Sequence, residues 1–156
     1  MDILANLKQR WEGLDYPFLI HSTGELRFNE ISEQKAVDLS GVKSGDVVAV
    51  IGDFDPQSIL ALLQLIDKKV ILVPLTTDTR SQHEYFFESA LVDVMIEGDL
   101  VQHIEHDKSH ELIKQLRSKE HAGLVLFSTG TTGRPKAILH DLTLFMQRFE
   151  TPRPTL

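Results

Sequence analysis

The chain of 156 residues contains no cysteine. Disulfide frameworks, thiolate nucleophiles and cysteine-bound zinc are therefore excluded as sources of stability or chemistry. A chain without cysteine fits a reducing compartment, and we expect a cytoplasmic location. At this length a globular chain corresponds to about one domain, so we expect residues 1–156 to form a single unit.

Positive charge and long apolar runs are also scarce. Lysine and arginine total 16 against 23 aspartates and glutamates, which gives a net charge of -7. The basic surface that nucleic-acid binding requires is missing, so we predict no nucleic-acid partner. The longest apolar run, residues 59–66, is interrupted by Gln64 and is far shorter than the roughly 20 residues that span a membrane. We therefore predict no membrane span.

Strand patterns alternate with helix patterns along the chain, which predicts an α/β fold with a largely parallel sheet flanked by helices. Apolar, β-branched runs predict strands at residues 47–51, 70–75, 92–96, 123–127 and 137–139. Periodic apolar segments predict helices at residues 56–67, 81–91, 110–120 and 142–149. Before them, two short runs predict a hairpin over residues 18–28, and Asn29 is the predicted N-cap of a further helix over residues 31–39.

The densest cluster of glycine, hydroxyl and basic residues is FSTGTTGRPKA, residues 127–137. Small residues after a strand allow backbone N–H groups to converge on an anion, and hydroxyls and a lysine add donors for phosphate oxygens. The pattern is not the nucleoside-triphosphate P-loop, because Lys136 follows Gly133 by three residues and Pro135 leads it into an extended segment. The dinucleotide pattern G-x-G-x-x-G is absent as well. We predict a phosphate loop of another type over residues 128–136.

This stretch resembles the glycine-rich phosphate loop of the adenylate-forming (AMP-binding) superfamily of acyl-CoA synthetases, peptide-synthetase adenylation domains and luciferases. The eight positions that match the family pattern are Ser128, Thr129, Gly130, Thr131, Thr132, Gly133, Pro135 and Lys136. His140 stands where several acyl-CoA synthetases have a histidine, whereas Ala137 replaces the usual glycine. Residues 45–66 and 68–76 are similar to the family's early strand, helix and Val-Pro strand. The resemblance implies the fold of the family's N-terminal subdomain.

The resemblance further implies an ATP-dependent ligase. In this family a carboxylate attacks the α-phosphate of ATP, pyrophosphate leaves, and the acyl-adenylate passes its acyl group to a thiol of CoA or of a carrier protein. ATP and Mg²⁺ are the implied cofactors, and a carboxylic acid and a thiol are the implied partners. We expect no metal site built from the chain's own side chains.

The resemblance also implies roles within the loop. Lys136 is the implied catalytic residue, since its ammonium offsets negative charge on the leaving pyrophosphate. The implied ATP-binding residues are Ser128, Thr129, Gly130, Thr131, Thr132, Gly133 and Lys136. Family members run for several hundred residues, and their later segments bind adenine, ribose and magnesium. We therefore expect this chain to be the N-terminal part of a longer ligase and to be inactive alone.

Two alternatives stay open at this point. A stand-alone ATP- or anion-binding module would bind ATP without catalysing pyrophosphate exchange. A structural fragment without activity would show no effect of nucleotide. The helix over residues 142–149 also predicts self-association, because its apolar face has no covering segment. The residues of that face are Leu142, Leu144, Phe145 and Phe149.

Two further clusters favour structural interpretations. Asp53 and Asp55 resemble an acid–base pair, but Asp55 precedes a proline at the first helical position and is interpreted as an N-cap. Tyr85, Phe86 and Phe87 lie on an apolar helix in the middle of the chain, where we predict a core role.

A histidine cluster occupies the polar segment 102–111. His106 and His110 have the i, i+4 spacing that holds a metal on one helix face, with His103 nearby. The zinc-protease pattern H-E-x-x-H does not occur at these histidines. We favour a solvated surface segment over a metal site.

Overall fold

The computed structural model describes residues 3–33, 37–129 and 133–148. In chain order, the helices and strands are α1 (Ile3–Trp11), β1 (Leu19–His21), β2 (Gly24–Leu26), β3 (Val47–Ile51), α2 (Pro56–Asp67), β4 (Ile71–Leu75), α3 (His83–Ala90), β5 (Val94–Glu97), β6 (Leu100–His103), α4 (Glu111–Ser118), β7 (Gly123–Ser128), β8 (Lys136–Asp141) and α5 (Leu142–Gln147). Two 3-10 helices, Phe28–Glu33 and Thr77–Gln82, complete the regular structure of these residues.

Six strands form the central sheet in the order β6-β5-β3-β4-β7-β8, and β1 pairs with β2 in a separate hairpin. The four inner strands are parallel to one another, whereas β6 and β8 run antiparallel at the two edges. The predicted α/β class with a largely parallel sheet is therefore confirmed. Because parallel strands end at the same side, the last residues of β3, β4, β5 and β7 lie along one side of the sheet, called the carboxyl edge below.

The sheet has a core on each of its faces. All five residues of β3 are buried, which explains its uninterrupted apolar sequence VVAVI. Val48 and Val50 belong to a core cluster that includes residues of α2 and α5. Val47, Ala49 and Ile51 belong to the opposite cluster, which includes residues of α3 and α4. Helices therefore cover both faces of the inner strands.

Helix α2 begins as its sequence predicts. The Asp55 carboxylate accepts a hydrogen bond of 3.0 Å from the Ser58 backbone N–H, and Pro56 occupies the first helical turn. An N-cap of this kind contributes about 1 kcal/mol to stability. The interpretation of Asp55 as a cap residue is confirmed.

The helix predicted over residues 31–39 is wrong. The chain forms a 3-10 helix over Phe28–Glu33, so Asn29 lies inside it rather than before it, and residues 37–39 are irregular. Residues 34–36 lie outside the described part of the chain. Val37 and Leu39 are buried in irregular backbone. Their apolar character therefore reflects burial under the sheet and not a helical face.

Strand β6 is the one strand of the described residues that the sequence did not predict. It follows a turn at Gly98, which has a φ of 57°, and pairs antiparallel with β5. Three of its four side chains are exposed and the fourth is partly buried. An edge strand of this kind lacks the alternation of buried and exposed residues that identifies a strand.

Helix α5 is capped by a charged side chain that also bonds a histidine. The Asp141 carboxylate accepts hydrogen bonds from the Leu144 N–H at 3.0 Å and from His121 Nδ1 at 2.9 Å. Burial raises the pKa of Asp141, but these hydrogen bonds and the positive charge of Lys119 outweigh burial and hold the pKa below its usual value.

Replacing Asp141 with asparagine should flatten the acid side of the stability profile. The lowered pKa means that the folded state favours the ionised carboxylate, so this stabilisation is complete above the unfolded pKa of about 3.9 and is lost as the pH falls below it. Asparagine still caps the helix but carries no charge. Urea unfolding should show a loss of about 1 kcal/mol at pH 7 and a smaller loss at about pH 2.5, where the carboxyl group of the unfolded wild type is already protonated. An equal loss at both pH values would contradict the ionic contribution.

Candidate functional site

The predicted phosphate loop joins the last two strands of the sheet. β7 ends at Ser128 and β8 begins at Lys136, and these two residues are directly paired across the antiparallel ladder. Side chains of directly paired residues lie on the same face of a sheet, with Cβ atoms about 5 Å apart. The structure therefore brings together Ser128 and Lys136, the two ends of the predicted loop.

The remaining predicted loop residues divide into two groups. Thr129 and Gly133 are described and exposed. The predictions for Gly130, Thr131 and Thr132 lie outside the described residues. A Cβ atom added at Gly133 would meet no atom within 4 Å, and its φ is outside the left-handed region. Folding therefore does not require glycine at this position, and the space beside it is open.

The loop extends from the carboxyl edge of the sheet. Ligands of parallel α/β sheets bind outside the carboxyl ends of the strands, where loops present backbone groups and side chains. Lys136 is exposed, and within the described ranges no carboxylate lies close enough to form an ion pair with its ammonium. Arg134, two residues earlier, is also exposed. Two positive side chains therefore face solvent at the end of the loop.

A cavity of about 470 Å³ lies at the same edge, above β3 and β5. Its carboxylates already have partners. Asp53 accepts hydrogen bonds from the hydroxyl and the N–H of Thr77, which lower its pKa. Glu97 pairs with Arg80, which lowers the pKa of Glu97. These carboxylates therefore hold the 3-10 helix Thr77–Gln82 to the carboxyl ends of β3 and β5, which agrees with the interpretation of Asp53 as a structural residue.

Helix α3 contacts both ends of the loop. Phe86 is buried and stacks on Phe127, next to the loop, with ring centroids 4.1 Å apart. The Tyr85 hydroxyl donates a hydrogen bond of 2.8 Å to the Pro135 carbonyl, and the Arg134 guanidinium carbon lies 5.3 Å from the Tyr85 ring centroid. The predicted core role is therefore correct for Phe86, which is buried, and for Tyr85 and Phe87, which are partly buried and pack against the same core cluster. Tyr85 contacts the loop in addition. No sequence signal connects Tyr85 to a residue fifty positions later.

The histidines do not share a helix face. β6 ends at His103, His106 pairs with Asp93 at 3.2 Å, and His110 caps α4 by accepting from the Leu112 N–H. In the described part of the chain, no three histidine, aspartate or glutamate side chains converge on a possible metal position.

The apolar face predicted on the last helix is only partly exposed. Leu142 is buried, which corrects its assignment to that face, because it packs against the core beneath β7. Leu144 and Phe145 are 47% and 50% exposed. Phe149 lies outside the described residues.

Each helix of the described ranges is too short or too polar to cross a bilayer.

No protein-family model matches the sequence, and no curated protein matches it. Solved structures match with low sequence identity. The N-terminal subdomain of NpsA from Klebsiella oxytoca, in complex with anthranilyl-AMSN, is 20% identical with a TM-score of 0.65, over 98% of this chain and 43% of that one. The same subdomain in space group P21 is 23% identical with a TM-score of 0.60, over 88% and 40%. VinN is 15% identical with a TM-score of 0.58, over 91% and 45%.

These matches concern the fold, and each covers less than half of the matched structure. The chain spans 40–43% of the length of the two NpsA subdomain structures. The chain therefore has the fold of the N-terminal portion of an adenylate-forming enzyme, as seen in the N-terminal subdomain of NpsA.

Proposed function

We propose that the chain is the N-terminal part of an ATP-dependent carboxylate ligase that forms an acyl-adenylate. The observation that carries the proposal is the loop over residues 128–136, which matches the family pattern at eight positions and extends from the carboxyl edge of an adenylate-forming fold. The NpsA subdomain in complex with anthranilyl-AMSN, an adenylate analogue, and VinN in complex with L-aspartate support this assignment.

The proposed reaction has two steps. A carboxylate oxygen of the acid attacks the α-phosphorus of ATP, and the bond from that phosphorus to the bridging oxygen breaks to release pyrophosphate. A thiol of CoA or of a carrier protein then attacks the acyl carbon, and AMP leaves with the electron pair of the broken C–O bond. Preorganised donors around the phosphates supply the largest catalytic contribution in chemistry of this type.

Lys136 is the proposed catalytic residue, because its ammonium is exposed and forms no ion pair with a described residue, so it is available to the charge that develops on the leaving pyrophosphate. Ser128 is directly paired with Lys136, so the two side chains leave the same face of the sheet, and Ser128 is a proposed ligand of the same phosphates. The further proposed ligands of ATP are Thr129, Gly130, Thr131, Thr132 and Gly133.

Mg²⁺ enters this proposal together with ATP and supplies positive charge to the phosphates. The described residues contain no cluster of three metal-ligating side chains. In this proposal the cation takes most of its ligands from phosphate and water rather than from a protein cage.

The proposal extends to the organisation of the protein. Residues 1–156 form a single α/β unit of a longer cytoplasmic ligase, and the absence of cysteine supports that location. Other segments of the ligase supply the contacts to adenine, the acid and the thiol. The chain alone therefore binds ATP through its loop but does not complete the adenylation.

Calorimetric titration with Mg·ATP tests this proposal. The wild-type chain should bind, and the double variant Gly130→Val, Lys136→Ala, which removes backbone freedom and charge together, should not. ATP–pyrophosphate exchange should be absent in both samples. Failure of the wild type to bind would contradict a formed phosphate loop. Exchange by the chain alone, abolished by Lys136→Ala, would contradict the need for further segments.

We also propose that the chain self-associates through the exposed apolar residues around α5. Leu144 and Phe145 are about half exposed, and Leu126 and Ile138, paired on β7 and β8, are 43% and 45% exposed. Burial of such side chains is favourable by about 25 cal/mol per Å². Light scattering should show an average mass above the monomer that rises with concentration, and Leu144→Gln should reduce it. A monomer at every concentration would contradict this expectation.

A further inference from the structure

We propose that Tyr85 is a positioning residue of the phosphate loop, which it holds in place through Pro135 and Arg134. The inference rests on the proposed function for the identity of the ligand. The contacts of Tyr85 with Pro135 and Arg134 do not depend on that function. Tyr85 lies on α3, outside the loop and outside the family pattern. Its hydroxyl donates to the Pro135 carbonyl at 2.8 Å, and its ring lies beneath the Arg134 guanidinium at 5.3 Å.

The hydrogen bond restricts the backbone torsion that leads into Lys136. The pyrrolidine ring of Pro135 already fixes φ near -65°. The remaining torsion, ψ, sets the direction of the Pro135 carbonyl and therefore of the Pro135–Lys136 peptide plane. By binding that carbonyl, the Tyr85 hydroxyl fixes ψ. The side chain of Lys136 then leaves the first residue of β8 in a defined direction.

The ring of Tyr85 orients the second positive side chain of this segment. A guanidinium within about 6 Å of an aromatic ring centroid is attracted to the ring face. Arg134 is otherwise exposed, and a long exposed side chain samples many rotamers. One tyrosine therefore reduces the freedom of both cations, Arg134 and Lys136. Preorganised cations bind a polyphosphate at a lower entropic cost than mobile ones.

The neighbouring residue makes α3 a rigid support for this arrangement. Phe86 is 4% exposed and stacks on Phe127, the residue before the last of β7. The helix is thus fixed to the strand that enters the loop, while Tyr85 holds the segment that leaves it. Because the Tyr85 hydroxyl bonds the loop and not the core, its removal should change the loop more than the stability of the fold.

The test compares Tyr85→Phe with Tyr85→Leu and uses Tyr16→Phe as the matched control. Tyr16 is the other of the two tyrosines and is 53% exposed. Phenylalanine removes the hydrogen bond but keeps the ring beneath Arg134, whereas leucine removes both contacts. Two readouts are measured on the full chain: amide hydrogen exchange at Arg134 and Lys136 without ligand, and affinity for Mg·ATP. Amides of β3 serve as the internal reference for global opening.

Tyr85→Phe should accelerate exchange at Arg134 and Lys136 several-fold, leave the β3 amides unchanged, and weaken Mg·ATP binding about three- to tenfold. Tyr85→Leu should have a larger effect, and Tyr16→Phe none. Unchanged exchange at Arg134 and Lys136, or equal acceleration of the β3 amides, would overturn the positioning role. If the wild type does not bind Mg·ATP but Tyr85→Phe still accelerates exchange only at the loop, the positioning role stands and the proposed function fails.

Discussion

Replacing Lys136 with alanine should lower the affinity of the chain for Mg·ATP by about 10- to 100-fold, because a hydrogen bond to a charged group contributes about 1.5–3 kcal/mol. The ammonium is exposed and has no carboxylate partner among the described residues, so none of their carboxylates competes with phosphate for it. Its removal should change the free energy of unfolding by less than about 0.5 kcal/mol. Calorimetry and urea unfolding of the same variant separate the two quantities.

Two further variants make this prediction specific to position. Lys136→Arg keeps the charge and should retain most of the affinity. Lys108→Ala removes another exposed lysine, which follows β6 at the opposite side of the sheet from the loop, and should have no effect. Equal losses for Lys136→Ala and Lys108→Ala would indicate a nonspecific effect of net charge. Full affinity in Lys136→Ala would remove this residue from the site.

The elements whose first and last residues were predicted correctly are those with a strong signal in their own local sequence. β3 and α2 begin and end at the predicted residues. A strand covered on both faces needs an uninterrupted β-branched run, and the Asp55-Pro56 pair marks a helix start by local chemistry. These signals do not depend on distant residues. Sequence reasoning is therefore sufficient for them.

The errors arise where tertiary contacts decide the structure. Val37 and Leu39 are apolar because irregular backbone carries them under the sheet, and a pattern of apolar residues does not distinguish that case from a helix. β6 exists because its backbone pairs with β5, although its side chains are mostly exposed. Neither feature has a local signal. Both become visible only when the neighbouring element is known.

The candidate site shows the same division. The family pattern predicts a phosphate loop from sequence, and the pairing of Ser128 with Lys136 shows that the described ends of this segment join two strands. The role of Tyr85 was missed because its partner, Pro135, is fifty residues away. Aromatic residues on an apolar helix are usually core residues, and Phe86 follows that rule. The polar hydroxyl of Tyr85 is the feature that distinguishes it from its neighbour.

Replacing Gly123 with valine should lower the free energy of unfolding by about 3 kcal/mol and the melting temperature by roughly 6–10 °C. A Cβ at this first residue of β7 would lie 2.5 Å from Leu116 Cδ2 and 3.0 Å from Ile71 Cγ1. Both neighbours are buried, and Ile71 has no exposed surface, so it has no space into which to move. Valine gains up to about 1 kcal/mol from its preference for strands, which offsets only part of the overlap.

A double variant identifies the overlap as the cause. Leu116→Ala alone leaves a cavity in the core and should also destabilise the fold. Combined with Gly123→Val, however, it makes room for the new side chain, so the double variant should lose less stability than the sum of the single losses. Gly133→Val is the matched control, since no atom lies within 4 Å of its Cβ direction, and its free energy of unfolding should stay within about 0.5 kcal/mol of the wild type. Additive losses would mean that α4 does not pack on β7 at Gly123. Other contacts would then have to support β7, the strand that leads into the predicted phosphate loop.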